Sequence, residues 1–121
     1  MSLSSRLQGD ISEVQRRRGA GYFTLRRARL LRADDRQTDF AVEGTRRYIV
    51  GLRVEGDILY GTCTCPYFEA TAEPCKHMWA AILEAERTGQ LANALKVLSL
   101  EPDPRVFEDP DKDDDSAPVP Q

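Results

Sequence analysis

The sequence contains few of the side chains that most often ligate transition metals, since its 121 residues include one histidine and three cysteines. It also lacks any run of about 18 apolar residues, so we expect no membrane-spanning helix. The opening residues, MSLSSRLQGD, contain no apolar core of the kind that marks a secretion signal. We therefore expect a cytoplasmic protein whose thiols stay reduced and whose clustered cysteines are metal ligands or redox groups.

Charge is unevenly distributed along the chain, although the net value is only −3. Residues 1–56 contain 12 Arg and Lys against 7 Asp and Glu, residues 57–100 contain 3 against 5, and residues 101–121 contain 2 against 8. The front half is therefore basic and the C-terminal end acidic. With only 7% aromatic residues, the chain can bury only a small hydrophobic core. A further stabilising element, such as a bound metal, would help it to fold.

Hydrophobic periodicity predicts an α+β domain that begins with a helix and continues as a small antiparallel meander. An amphipathic helix over residues 3–18 would carry on one face Leu3, Leu7, Ile11 and Val14. Gly19 and Gly21 are expected to end this helix. Three or four short β-like runs follow, at about residues 25–33, 38–42, 46–54 and 58–62, with turn-like residues between them.

The second half of the chain predicts a helix that starts at the last cysteine. The segment PYFEATAEP, bounded by prolines, is expected to be a loop, and CKHMWAAILEAERTG a helix that ends at Gly89. Its buried face would carry Met78, Ile82 and Ala85, with Trp79 beside them in the core.

A second helix is predicted for QLANALKVLSL, with Leu91, Leu95 and Leu98 pointing inward. From Glu101 onward the composition is rich in Pro, Asp and Ser, which predicts a disordered acidic tail or linker. These patterns divide the chain into an N-terminal helix and connector at 1–24, a domain at 25–100 that contains every cysteine and the histidine, and the tail at 101–121.

All the cysteines and the histidine lie within one short stretch, as Cys63, Cys65, Cys75 and His77. The pattern is C-x-C, nine intervening residues and C-x-H, with the second pair at the start of the predicted helix, whose dipole favours thiolates. A Cys₃His set closes a tetrahedral zinc site and leaves no open position for water, which indicates a structural Zn²⁺. Lys76, between two ligands, could offset the negative charge of the site.

Other interpretations of these four residues remain open at the sequence level. The cysteines could be buried free thiols beside an incidental histidine, or a redox pair, although the C-x-x-C spacing is missing. An iron–sulfur cluster held by three cysteines and a histidine is the sharper alternative. The CDGSH-type proteins have such a set, but their histidine follows the third cysteine by four positions, whereas here CKH separates the two by two.

The ligand pattern resembles that of the SWIM zinc-finger family, C-x-C, a variable gap and C-x-H. The CPYF segment, followed by CKH and an apolar helix, is similar to the bacterial branch that often accompanies Swi/Snf-type helicase-like ATPases. The resemblance extends over residues 46–83 and implies a ββα zinc finger with Zn²⁺ as cofactor and DNA or protein as partner. This chain departs from those ATPases because it has no Walker-type phosphate loop and no length for an ATPase core.

Arginine in the basic half supports nucleic acid, with DNA the expected form, as the partner, since guanidinium groups bind phosphate in bidentate fashion. The candidate contact residues are Arg16, Arg17, Arg18, Arg26, Arg27, Arg29, Arg46 and Arg47. Tyr22, Phe23 and Tyr48 lie among them and could stack on bases. The alternative is a solvated arginine-rich surface with these aromatic residues in the core.

A protein partner such as a helicase-like ATPase is the second expectation, with zinc in a purely structural role. Tyr67 and Phe68 are then either exposed anchors or a lid that shields the metal. Neither a membrane nor a small-molecule substrate is expected. We do not expect an enzyme, because the one histidine is committed to the metal and no Ser-His-Asp set can form without it.

Overall fold

The computed structural model describes residues 2–34, 37–91 and 97–103, and these form an α+β fold as the sequence predicted. In chain order the elements are α1 (Leu3–Leu7), a 3₁₀ turn (Gln8–Asp10), α2 (Glu13–Thr24), β1 (Ala28–Ala33), β2 (Gln37–Glu43), β3 (Arg47–Glu55), β4 (Ile58–Cys63), α3 (Pro66–Thr71), α4 (Lys76–Thr88) and β5 (Ser99–Pro102). None of the helices in these residues is long and apolar enough to cross a membrane.

The predicted meander is confirmed as four antiparallel strands in the order in which they occur along the chain. Alternating residues of β4 are buried, as expected for a strand that turns one face to the core. Phe40 of β2 pairs with Val50 of β3, and Val50 pairs in turn with Cys63. The first cysteine is thereby fixed at the end of the sheet.

Helix α4 is the central element of the core and confirms the helix predicted after the last cysteine. Its buried residues include Met78, Trp79 and Ile82, which pack in one hydrophobic cluster with the strands. The helix ends at Gly89, whose φ of +78° is the left-handed conformation that glycine adopts without a Cβ penalty.

The N-terminal segment forms two helices rather than the single helix predicted over residues 3–18. The chain becomes extended at Ile11, and Ser12 caps the second helix by accepting a hydrogen bond from the Gln15 N–H at 3.2 Å. Leu3, Leu7 and Ile11 are buried as predicted. Val14 is not, with 43% of its surface exposed, because the break rotates α2 away from the common face.

Helix α2 continues through both glycines that were expected to end it. Gly19 is buried where α2 crosses α4, and a Cβ at that position would lie 2.6 Å from the Lys76 carbonyl oxygen and 2.7 Å from Trp79 Cβ. The glycine therefore permits a close approach of two helices, and packing rather than helix propensity decides its position.

The C-terminal part of the described chain is a strand where a helix and the start of a tail were predicted. Leu98 is 67% exposed rather than inward, and β5 runs parallel to β4 to extend the sheet to five strands. Its Leu100 N–H donates to Asp10 Oδ2 at 2.9 Å. Residues 92–96, which include Leu95, and the predicted tail at 104–121 lie outside the described residues.

The folded part also extends beyond the boundary predicted at Leu100. Asp103 is buried, and its carboxylate accepts hydrogen bonds of 3.1 and 3.2 Å from Nε and Nη2 of Arg53. This bidentate contact raises the pKa of the Arg53 guanidinium, and Glu55 adds to the effect. Composition alone placed Asp103 in the tail, because its buried partner lies 50 residues earlier.

Candidate metal centre

Three different elements deliver the four candidate ligands to one point. Cys63 ends β4, Cys65 precedes α3, Cys75 precedes α4, and His77 lies in the first turn of α4. Pro66 begins α3, where its missing N–H costs nothing and its fixed φ suits a first helical residue. The two cysteines of the C-x-C motif therefore flank a change of direction, which allows both sulfurs to face the same space.

The residue between these two cysteines anchors the change of direction to the sheet. The Thr64 N–H donates to the Ile49 carbonyl oxygen at 3.2 Å, and the Ile49 N–H donates to Thr64 Oγ1 at 3.0 Å. The sheet register thus continues one residue past β4 and holds the C-x-C motif in place.

The ligand atoms form a compact donor set with the dimensions of a tetrahedral zinc site. One ligand atom from each residue lies within 4.8 Å of every other. The Nδ1 atom of His77 lies 3.7 Å from Cys63 Sγ and 3.8 Å from Cys75 Sγ. Zn–S and Zn–N bonds of about 2.3 and 2.0 Å at the tetrahedral angle require an S···N edge of about 3.5 Å. The residues therefore fit Zn²⁺, with His77 binding through Nδ1.

Burial and mutual hydrogen bonding set the protonation of the thiols. Hydrogen bonds with Cys63 and Cys75 lower the pKa of Cys65, whereas hydrogen bonds with Cys65 and Cys75, together with burial, raise that of Cys63. In Cys75 a hydrogen bond with Cys63 lowers the pKa, but the bond with Cys65 and burial outweigh it and raise the value to about 12. A divalent cation that binds this set must therefore displace protons from thiols whose pKa is raised.

The segment predicted as a loop between the ligand pairs contains the short helix α3. The Phe68 N–H donates to Cys65 Sγ at 3.4 Å, a contact that favours the thiolate over the thiol. Phe68 is buried in the core cluster, which matches the lid expected over a metal. Tyr67, by contrast, is 39% exposed, and its hydroxyl donates to Glu73 Oε1 at 3.3 Å.

Two tyrosine rings hold the imidazole of His77 in position. The Tyr48 ring centroid lies 4.4 Å from that of His77 and the Tyr22 centroid 5.3 Å. The Nε2 atom of His77 is buried and has no hydrogen-bond partner in the part of the chain that the structure describes. Metal-bound histidines commonly have their second nitrogen held by a carboxylate or carbonyl, so ring packing here replaces that hydrogen bond.

Sequence reasoning placed Tyr22 and Tyr48 only as base-stacking or core residues and did not connect them with the metal site. A second missed contact is the cap of α4, where the Lys76 N–H donates to Gln15 Oε1 at 2.8 Å. Gln15 precedes Lys76 by 61 residues. No local pattern signals such a pair, because it depends on how α2 packs against α4.

The structure places the eight arginines proposed for nucleic acid on α2, on its connection to β1, on β1 and at the β2–β3 turn. Seven of them are exposed: Arg17, Arg18, Arg26, Arg27, Arg29, Arg46 and Arg47. Arg16 is half-buried, and its Nε donates to the Ile11 carbonyl oxygen at 3.2 Å. Arg47 pairs with Glu43 at 3.0 Å.

Comparison with known proteins agrees with this donor geometry. Residues 48–86 match the family model of the SWIM zinc finger, a range that contains all four ligands and runs from β3 to α4. No curated protein and no solved structure matches the chain. The buried Cys₃His donor set and the family match together show that the chain contains a SWIM zinc finger, which binds Zn²⁺.

Proposed function

We propose that this zinc finger is a recognition module that binds nucleic acid, with DNA as the expected form, through its arginine-rich face. The observation that carries the proposal is the meeting of two basic segments that are distant in sequence. The Glu43 N–H donates to the Arg27 carbonyl oxygen at 2.9 Å, and a Cβ on Gly44 would lie 3.2 Å from the Tyr22 hydroxyl oxygen. The end of α2 and the β2–β3 turn therefore form one surface.

Most of the charge on this surface is uncompensated. No carboxylate in residues 2–34, 37–91 and 97–103 forms an ion pair with Arg17, Arg18, Arg26, Arg27, Arg29 or Arg46. A group of unpaired guanidiniums is costly to hold together without a counter-charge, and phosphates supply one while releasing bound ions from the nucleic acid. This favours binding that is salt-sensitive and largely independent of sequence.

Zinc has a structural role in this proposal, since four protein ligands fill its tetrahedron and leave no site for a water or a substrate. An ion bound by Cys63 of β4 and by Cys75 and His77 at the start of α4 would join these two elements, and α2 packs on α4. Loss of zinc would therefore disrupt the packing that positions the arginine-rich face. On this basis we assign a non-enzymatic function to the chain.

Fluorescence anisotropy with labelled DNA and RNA, at about 50 mM salt and above, tests the proposal. We expect the logarithm of the affinity to fall linearly with the logarithm of the salt concentration. Replacement of Arg27 by glutamine should weaken binding to every sequence alike and reduce the salt slope by about one. No detectable binding to either nucleic acid at the lowest salt would end the proposal.

Arg87→Gln is the matched control, since it removes the same charge at the opposite end of α4. Arg87 pairs with Glu84 at 2.6 Å, and a glutamine amide can still donate to that carboxylate. Equal loss of affinity in the two variants would show that net charge, rather than the arginine-rich face, drives binding.

We also propose association with a helicase-like ATPase, supported by the resemblance of CPYF and CKH to the bacterial branch of the family. Affinity purification of the full chain from its own cells, followed by mass spectrometry, tests this. The ATPase should be recovered with the zinc-loaded protein and lost after chelation. Its absence from both samples would count against the association.

A further inference from the structure

A cleft of about 300 Å³ opens directly over the metal centre, and three of the proposed ligands, Cys65, Cys75 and His77, form part of its lining. Its walls come from α2, the β2–β3 turn, α3 and the start of α4, and the residues used below are Arg18, Tyr22, Tyr48, Tyr67 and Lys76. Ligand pockets for small organic groups begin at about this volume. The space is much larger than one coordinated ion needs, so the zinc alone does not account for it.

A second cavity of about 420 Å³ adjoins the first and shares three of its residues, Arg18, Tyr22 and Lys76. Leu25 and Arg27 line its other side. The two cavities therefore adjoin at these three side chains, near the contact between α2 and α4, and we refer to the pair of cavities as the groove. The groove begins at Tyr67 and ends at the arginine-rich face.

The lining of this groove combines aromatic faces with positive charge. Three tyrosines and two cations line the first cavity, and no aspartate or glutamate lines either one. Tyr67 is 39% exposed, while its hydroxyl donates to Glu73 Oε1. Aromatic rings interleaved with cations are the features that bind the bases and the phosphates of an unpaired strand.

We propose that this groove binds single-stranded nucleic acid, with one unstacked base against Tyr67 in the first cavity and the adjoining phosphate on Arg18 and Lys76. The inference rests on the proposed nucleic-acid function and specifies the form of the ligand. A base within a duplex is stacked on both faces and cannot enter a cleft of this kind without being extruded. The groove therefore selects unpaired strands over duplexes of the same length.

Binding of the zinc-loaded full chain to oligothymidylate, oligouridylate and a DNA duplex of equal length tests this inference. We expect both single strands to bind at least about tenfold more tightly than the duplex at the same salt concentration, the range of one stacked base. Tyr67→Leu should remove about that factor for the single strands and leave duplex affinity unchanged.

Tyr60→Leu is the matched control, because Tyr60 stacks on Arg53 at 4.5 Å and lines neither cavity. It should leave single-strand affinity unchanged.

A test that needs no variant uses oligothymidylate containing one iodouracil and the natural chain: ultraviolet crosslinks should map to Tyr67, Tyr22 or Tyr48.

The outcomes separate the two proposals. Equal affinity for single strands and duplex, with crosslinks away from the three tyrosines and with Arg27→Gln still weakening binding, overturns the groove while the arginine-rich face stands. No binding to any of the three probes overturns both.

Discussion

The ring of Tyr48 packs against the imidazole of His77 with their centroids 4.4 Å apart and their planes inclined by 32°. The imidazole presents Nδ1 to the sulfurs of Cys63 and Cys75, and its Nε2 finds no hydrogen-bond partner in the described residues. The orientation of a metal ligand is therefore set by aromatic packing, and this has a measurable consequence.

Tyr48→Leu should lower zinc affinity by about 10- to 100-fold, the range found when outer-shell partners of metal ligands are removed. Tyr48→Phe keeps the ring and loses only the hydrogen bond of 3.1 Å shared with Thr45 Oγ1, so its affinity should stay near that of the natural chain. Competition with a coloured chelator measures both variants. If Tyr48→Phe and Tyr48→Leu lower zinc affinity equally, the Tyr48 hydroxyl rather than its ring supports zinc binding.

Removal of zinc should abolish the cooperative thermal transition of the domain. Structural zinc in small domains contributes on the order of 10–16 kcal/mol, which is comparable with the whole stability of such a domain. Cys75→Ser, which removes one buried ligand, should behave in the same way without any chelator. Calorimetry with and without a strong chelator makes the measurement, and an unchanged melting temperature would falsify the structural role of the ion.

Zinc affinity should rise with pH across the neutral range. The pKa values of Cys63 and Cys75 are raised, so both thiols hold protons there that the metal must displace, whereas the pKa of Cys65 is lowered. Lower pH favours the protonated thiols and therefore opposes binding. Chelator competition between about pH 6 and pH 8 measures whether zinc affinity rises or falls with pH. An affinity that does not change with pH would contradict the assignment of thiolate ligands.

Gly19→Ala and Gly21→Ala should have opposite effects on stability, although both lie in α2. The alanine methyl at Gly19 would meet Lys76 O and Trp79 Cβ at 2.6 and 2.7 Å, so we expect a loss of about 1–3 kcal/mol from overpacking. A Cβ at Gly21 meets nothing within 4 Å, and the substitution should stabilise by about 0.4–1 kcal/mol. Urea unfolding of the two variants measures the difference.

Asp103→Ala should destabilise the domain by about 1.5–3 kcal/mol, because the Arg53 guanidinium loses its bidentate partner and keeps only its ion pair with Glu55. Removing both groups as Arg53→Leu with Asp103→Ala should cost less than the sum of the two single losses, since each single variant already breaks the same bidentate contact. Urea unfolding with a double-mutant cycle gives the coupling. Additive losses would show that the two side chains do not act as a pair.

The ligand set of the metal centre was predictable from the sequence because spacing and residue type determine it locally. Cys63 and Cys65 sit at the end of an alternating strand, and Cys75 and His77 begin an apolar helix that Gly89 ends. The β-like runs and the turn residues between them also predicted an antiparallel meander of three or four strands, although only β4 among the four buries strictly alternating residues. These features depend on neighbours a few positions away.

The contacts between distant segments were decided only by tertiary structure. Gly19 stays inside α2 because Trp79 of another helix packs against it, and Leu100 belongs to a strand because β4 and Asp10 supply partners for its backbone. The tyrosines that orient His77, and the groove that they line, arise in the same way. The spacing of residues along the chain determines which side chains can ligate a metal. Only packing between helices and strands can bring together side chains that are far apart in sequence. Such packing also overrides the local propensity of a segment.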